Sequence, residues 1–476
     1  MQCTRRSFLT RSAVGLAGIA LAGQARPSQA AASEGARPNI IFVTTDDQGL
    51  EAGCYGDPYA ITPNIDRLAE EGVLFEEAYV TTATCSPSRS SMLTGLYPHQ
   101  NEHWGLANHH YSMREGIPNL FGILKDAGYR TGIIGKLHVM PQNEFPFDVN
   151  HSQPSTRTRQ VRQVAEEAAE IFQTEDDAPF FLMINYFDPH RPLTDEDNQI
   201  DGIPETIQTP DEISTFPWLG VDTPEVLAEV ATYYNCVQRL DIGLGMVLDE
   251  LEAAGKTEDT LIIFIGDHGA PFSRAKTTCY EAGVKIPFIV RWPGKIETGL
   301  RHDAFVSTVD ILPTFLEAAG VSLPAPVAGE SLLPLCRGEE IPWREMLATE
   351  FNAHAREHYY PRRSIRDRRF KLIHNLLYER PNPVASIGPA SLQRTPPGSA
   401  WRTTYETTVH PPEYELYDLQ ADPYEMINLA VHPDYQEALE RLQTALRDWQ
   451  EESDDPMRDP DFFAAMTREH DEAAEA

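Results

Sequence analysis

The chain has 476 residues, and 72 acidic against 39 basic side chains give it a formal net charge of −33. A surface of that sign repels nucleic acid and anionic membranes, which excludes both as partners, and an anionic substrate would need a local positive pocket. The length allows one large α/β domain with a smaller appendage.

Residues 1–30 read as an export signal. Thr4-Arg5-Arg6-Ser7-Phe8-Leu9 is a twin-arginine pattern, the apolar run from Ala13 to Ala22 follows it, and Ser28-Gln29-Ala30 is a small-residue cleavage site. The run is too short to span a bilayer, and no later stretch reaches the roughly 20 apolar residues that a span requires. These features predict a periplasmic or secreted protein, exported by the twin-arginine pathway and without stable membrane insertion. Cys3 leaves with the signal. Cys54, Cys85, Cys236, Cys279 and Cys336 remain, an odd set that flags one thiol with a separate role.

A linker over 31–37 leads into Asn39 to Thr45, a continuous β-rich run that reads as a buried parallel strand ending in Asp46-Asp47. Thr62 and Pro63 open a helix that Gly72 stops. Asn119 to Ala127 predicts a second helix, halted by Gly128 and feeding a strand over Thr131 to Ile134. Phe180 to Tyr186 is a third strand, with Asp188-Pro189-His190 behind it. A long amphipathic stretch from Pro224 to Ala254 precedes the strand Thr260 to Ile265, which runs into Gly266-Asp267-His268-Gly269. The alternation predicts an α/β domain over 38–335, a large mostly parallel sheet sandwiched by helices, with polar residues gathered past the strand ends where such sheets bind ligands. Beyond residue 340 the segments shorten: Arg369 to His374, a proline-rich loop from Pro381 to Pro397, Tyr414 to Leu419, and a helix near Pro433 to Glu451. They predict a smaller α+β domain over 340–452. The acidic tail, 453–476, reads as loose.

An adjacent carboxylate pair such as Asp46-Asp47 also fits a solvated turn. Asp267-His268 at the end of another strand brings further donors to the same sheet edge, and clustered carboxylates repel unless a cation sits among them. Oxygen-rich ligation suits Ca²⁺ or Mg²⁺, for which imidazole is a poor partner. Cys85, read alone, is a buried thiol before a proline-started helix. The longer string Cys85-Ser86-Pro87-Ser88-Arg89, continuing through Ser90-Ser91-Met92-Leu93-Thr94-Gly95, is far more specific.

That string resembles the type I sulfatase motif, in which the cysteine is oxidised to formylglycine. A hydrated aldehyde offers two geminal hydroxyls: one attacks sulfur, and the other later loses its proton so that sulfate leaves. The resemblance extends to Asn39–Asp47, Gly135-Lys136-Leu137-His138, Asp267-His268-Gly269 and Glu415-Leu416-Tyr417-Asp418-Leu419. It implies an alkaline-phosphatase-like fold. Within the family, His99-Gln100-Asn101, Asp188-Pro189-His190-Arg191 and Phe370-Lys371-Leu372-Ile373-His374 are similar to the heparan N-sulfatases.

The resemblance implies one divalent cation, Ca²⁺ by preference, held by Asp46, Asp47, Asp267, His268 and the modified Cys85. It implies that Arg89 holds the aldehyde hydrate, Lys136 and Lys276 bind sulfate oxygens, His138 takes a proton during sulfate release, and His190 protonates the leaving group. His354 and Arg363 are expected in a sugar-recognising loop. His268 departs from the asparagine of many members, and Lys276 from the arginine of the N-sulfatases. The expected partners are a sulfated sugar or glycosaminoglycan fragment and a formylglycine-generating enzyme. The expected activity is sulfate or sulfamate hydrolysis, first on N-sulfated glucosamine. The alternatives are an O-sulfatase on another glycan or aryl sulfate, a phosphodiesterase of the same superfamily, and a silent glycan-binding protein, against which the intact set of residues argues.

Overall fold

A computed structural model describes residues 37–152, 159–174, 178–194, 208–386, 395 and 397–475. The export signal, most of the linker and residues 387–394 of the proline-rich loop lie outside them. The large sheet is built from β1 (Asn39–Thr45), β2 (Val73–Tyr79), β3 (Arg130–Gly135), β4 (Val149–His151), β5 (Phe180–Tyr186), β6 (Thr260–Gly266), β7 (Phe288–Arg291) and β8 (Leu300–Ser307). Their order is β4-β3-β5-β1-β6-β7-β2-β8, and β7 alone runs against its neighbours.

Successive side chains of β1 enter opposite layers, as the two-residue period of a strand requires. Ile40 and Phe42 join Phe121, Phe181 and Phe315 on one face, and Ile41 and Val43 join Ile65, Ile171, Leu240 and Leu244 on the other. Helices cover both faces, so β1 is apolar at every position from Ile40 to Val43 and its alternation is invisible in the sequence. Register then decides where the chemistry falls. Thr45 pairs level with Tyr186 of β5 and Gly266 of β6. The residues that follow these strands therefore emerge together, with Asp46 N–H donating to Asp188 O at 3.3 Å and Asp267 N–H donating to Thr45 O at 2.9 Å. Gly269 is required in this corner, because a Cβ there would stand 1.8 Å from Ala282 O.

The small domain is an antiparallel sheet of β9 (Leu347–Phe351), β10 (Arg362–Arg366), β11 (Phe370–Asn375) and β12 (Tyr414–Asp418) in the order β12-β11-β10-β9. The helix Gln436–Glu452 lays Leu442, Leu446 and Trp449 on Ile365, Leu372 and Leu416. The tail corrects the sequence reading. Residues Pro460–Glu475 form a helix, because Phe462, Phe463, Met466 and His470 recur at helical spacing and face Trp104, Tyr111 and Tyr359. Tyr111 Oη lies 2.6 Å from His470 Nε2, and the His470 ring stacks on Tyr359 with centroids 4.0 Å apart. Among the described residues no helix is long and apolar enough to cross a membrane, and all five cysteines are free.

Candidate active site

Asp46 and Asp47 are fully buried where β1 ends, and Asp47 adopts φ 68°. A left-handed backbone costs a non-glycine residue energy, and aspartate is among the residues that tolerate it. The turn aims both carboxylates at Cys85, the first residue of the buried helix Cys85–Thr94. Cys85 Sγ lies 3.5 Å from Asp46 Oδ1, 4.0 Å from Asp47 Oδ1 and 3.3 Å from His268 Nε2. His268 Nδ1 faces its neighbour's carbonyl, Gly269 O, at 3.0 Å, so Nδ1 carries the hydrogen and Nε2 is turned to the cluster, 3.1 Å from Asp47 Oδ1.

Among the described residues, Asp46, Asp47, Cys85 and His268 each bring one donor atom within 4.8 Å of the others. This set fits a cation: two buried carboxylates, an imidazole whose second nitrogen is already fixed, and position 85. Asp267 is placed differently from its neighbours. Its Oδ1 accepts the Asp47 N–H at 2.9 Å and its Oδ2 accepts Arg89 Nε at 2.9 Å, leaving Oδ1 3.8 Å from His268 Nε2. Burial, and next the charge of Asp46, push Asp267 up to about 7, the mark of a cluster with more carboxylate than it can ionise comfortably.

Lysines answer the two leading carboxylates. Lys136 Nζ reaches Asp46 Oδ2 at 2.6 Å, and Lys276 Nζ reaches Asp47 Oδ1 and Oδ2 at 2.7 and 2.9 Å and Cys85 Sγ at 3.6 Å. Burial alone would raise the Cys85 thiol, but Lys136, Lys276 and His268 outweigh it and hold it well below its ordinary value. Burial pushes the other four the opposite way, Cys54 and Cys236 to about 12 and Cys279 and Cys336 also upward. Cys85 is thus the chemically separate thiol. Arg89 is fully buried; Nη1 donates to Asn185 Oδ1 at 2.8 Å and Lys136 O at 3.1 Å, while Nη2 has no hydrogen-bond partner and lies 4.0 Å from Asp46 Oδ2.

Two histidines flank the cluster, and their surroundings shift them in opposite directions. His138 Nε2 meets Asn108 Oδ1, an atom that can only accept, at 2.9 Å, so Nε2 carries the hydrogen and Nδ1 keeps the lone pair. Burial, then Lys136, holds His138 below its ordinary value. His190 stands 3.9 Å from Asp47 Oδ2 through Nε2, and although burial opposes its charge, Asp47 outweighs burial and raises it. His354 sits at the rim, its Nδ1 2.7 Å from Thr84 Oγ1; burial, then Lys276, keeps it neutral. Asn108, Thr84 and Asn185 were not read from the sequence, and Tyr233, which reads there as core packing of the long helix, also donates its hydroxyl to Asp47 O at 3.2 Å. A polar Asn185 inside the apolar run of β5 was the signal for one of them.

Arg363 is not in the pocket. It lies on an inner strand, β10, fully buried, with Nε and Nη2 on Asp455 at 2.7 and 2.9 Å and Nη1 on Asn352 at 2.9 Å. Its cross-strand neighbour is Glu350, so the guanidinium is spent on the domain's own carboxylates rather than on sugar. Removing one partner of a buried ion pair costs about 3–5 kcal/mol. Arg363→Ala should lose stability on that scale in a denaturant titration while the folded fraction keeps its KM. A raised KM at unchanged stability would return Arg363 to substrate binding.

Comparison with known proteins agrees with this geometry. Residues 38–321 match the sulfatase family, and residues 266–382 match the C-terminal family of N-sulphoglucosamine sulphohydrolase. The chain is 34% identical over 461 residues to human N-sulphoglucosamine sulphohydrolase, covering 88% of this chain and 91% of that one. It is 31% identical over 420 residues to an ulvan-active sulfatase of Formosa agariphila, covering 87% and 80%. A solved structure in complex with its substrate D-glucosamine-2-N,6-O-disulfate superposes with a TM-score of 0.68 at 22% identity, over 89% of this chain and 99% of that one, and shares the fold. With the family match spanning more than half of the sequence and the aspartates, Cys85 and lysines gathered at one sheet edge, this chain belongs to the sulfatase family, whose members hydrolyse sulfate esters and sulfamates.

Proposed function

We propose that this sulfatase cleaves the N-sulfate of glucosamine at the non-reducing end of heparan-type fragments. A formylglycine made at Cys85 by a formylglycine-generating enzyme, and one Ca²⁺ held by Asp46, Asp47, His268 and Asp267, complete the site. The modified residue supplies a nucleophilic hydroxyl, and the cation supplies positive charge where the sulfate oxygens gain negative charge. The observation that carries the substrate class is the identity to N-sulphoglucosamine sulphohydrolase, which runs through the small domain as well as the catalytic one.

The residues divide the work by protonation. Lys136 and Lys276, both partly open to the pocket, bind sulfate oxygens. Arg89 offers its free Nη2 to the side chain at position 85. His138, kept neutral with Nδ1 open, takes the proton when sulfate leaves. His190, which faces Asp47 Oδ2 through Nε2 at 3.9 Å and is shifted upward by that carboxylate, gives a proton from Nε2 to the departing amine. Two titratable groups pushed apart by their surroundings support this division into base and acid. Export through the twin-arginine signal belongs to the same proposal, and cell fractionation should find the protein outside the cytoplasm.

Enzyme from a modification-competent host should release sulfate from N-sulfoglucosamine with a kcat/KM about 10²-fold or more above that for glucosamine 6-O-sulfate, the discrimination that matched polar contacts achieve. An enzyme that cleaves only the O-sulfated sugar overturns the assignment. It would instead favour the O-sulfatase reading.

A further inference from the structure

Arg159 lies outside the cluster, two residues ahead of the helix Val161–Phe172, and is 4% exposed. Its guanidinium gathers the segment that carries His190. Nη1 donates to Asp188 Oδ1 at 3.0 Å, and Nη2 donates to His190 O and to Pro192 O at 2.8 Å each. The same group lies 4.6 Å from the centroid of the Phe187 ring, and that ring packs against His190 at 4.8 Å. Asp188 is also gripped from the helix Pro224–Ala253, where Arg239 Nε and Nη2 donate at 2.7 and 2.8 Å.

The His190 ring has little freedom of its own. Its Nδ1 is bonded to Arg191 O, so the direction of Nε2 follows the backbone from Phe187 to Pro192. Pro189 and Pro192 contribute no N–H to that backbone, which limits how far a hydrogen-bond ladder can fix it. Buried carbonyls must find donors elsewhere. A planar fork that reaches two carbonyls and a carboxylate at once suits arginine and not lysine.

We propose that Arg159 is the positioning residue that aims His190 at the leaving amine. The proposal rests on the reading of His190 as the acid, and its test separates the two. The readout is the ratio of kcat/KM on a sulfamate, whose amine needs a proton to leave, to that on 4-nitrophenyl sulfate, whose phenolate does not. This ratio does not change when a variant merely lowers the fraction of folded enzyme. His190→Ala is the reference and should lower the ratio by about 10² to 10⁴, the contribution of a general acid. Arg159→Met should lower it by about 10- to 100-fold, the usual effect of removing a group that orients a reacting residue. Arg159→Lys keeps a charge beside Asp188 but not the fork, and should fall between wild type and Arg159→Met. In the double variant, Arg159→Met should add no further loss to His190→Ala. If His190→Ala lowers the ratio and Arg159→Met loses equally on both substrates, Arg159 is only structural and the proposal falls while the acid assignment stands. If His190→Ala leaves the ratio unchanged, the acid assignment falls and takes the proposal with it.

Discussion

Cys85→Ala should lose on the order of 10⁶-fold in kcat, the scale seen when a covalent nucleophile is removed from a hydrolase, and still fold. The change is small for a fully buried side chain, and point substitutions centre on a cost of about 1 kcal/mol. Every partner of Sγ keeps another: Asp46 retains Lys136, Asp47 retains Lys276, and His268 retains Gly269 O. Peptide mass spectrometry of active wild-type enzyme should find an aldehyde in place of the Cys85 thiol. Fully active protein carrying an unmodified thiol would overturn the formylglycine assignment. Among the described cysteines only Cys85 is held below its ordinary value, and the odd thiol count had already flagged one member of the set.

Removal of the divalent cation should have the next largest effect. Lewis-acid stabilisation is worth several kcal/mol, so chelation or Asp46→Ala should cost on the order of 10³-fold or more in kcat at about 1.4 kcal/mol per tenfold. The fold should survive chelation, because Lys136 and Lys276 already answer Asp46 and Asp47. Circular dichroism should therefore stay native, and adding Ca²⁺ back should restore activity and raise the unfolding temperature through binding to the native state alone. Full activity in rigorously stripped protein would refute the metal assignment.

The central strands were legible because both faces of β1, β5 and β6 are covered, so each holds a run of four or more consecutive apolar residues. Strands that mix polar residues were not. β2 carries Glu76 and Glu77, and the more exposed half of β8 reads Leu-Arg-His-Asp. β10, Arg-Arg-Ser-Ile-Arg, reads as surface, yet all five residues are buried. Arg363 pairs with Asp455 and Arg366 with Glu281, partners too far along the chain for local pattern to reveal. The same blindness misplaced Arg363 and the tail. The site itself was legible where chemistry is concentrated in short strings, at Asp46-Asp47, Cys85–Arg89 and Asp267-His268. Its supports were not, since Asn108, Thr84 and Arg159 acquire meaning only through contacts across the fold.

The terminal helix gives the direction of synthesis a meaning. Tyr111 and Tyr359, which close on His470, belong to the same two loops as Asn108 and His354, and Leu106 N–H is tied to His354 O at 3.0 Å. The cluster is complete in the sequence by Lys276, yet the wall beside it is covered by a helix that begins at Pro460. A nonsense codon after Asp459 would spare the entire cluster and still strip the cover from Tyr111, Tyr359 and Trp104. Such chains would keep every residue of the cluster while the aromatic rings of the adjoining loops lay bare to water.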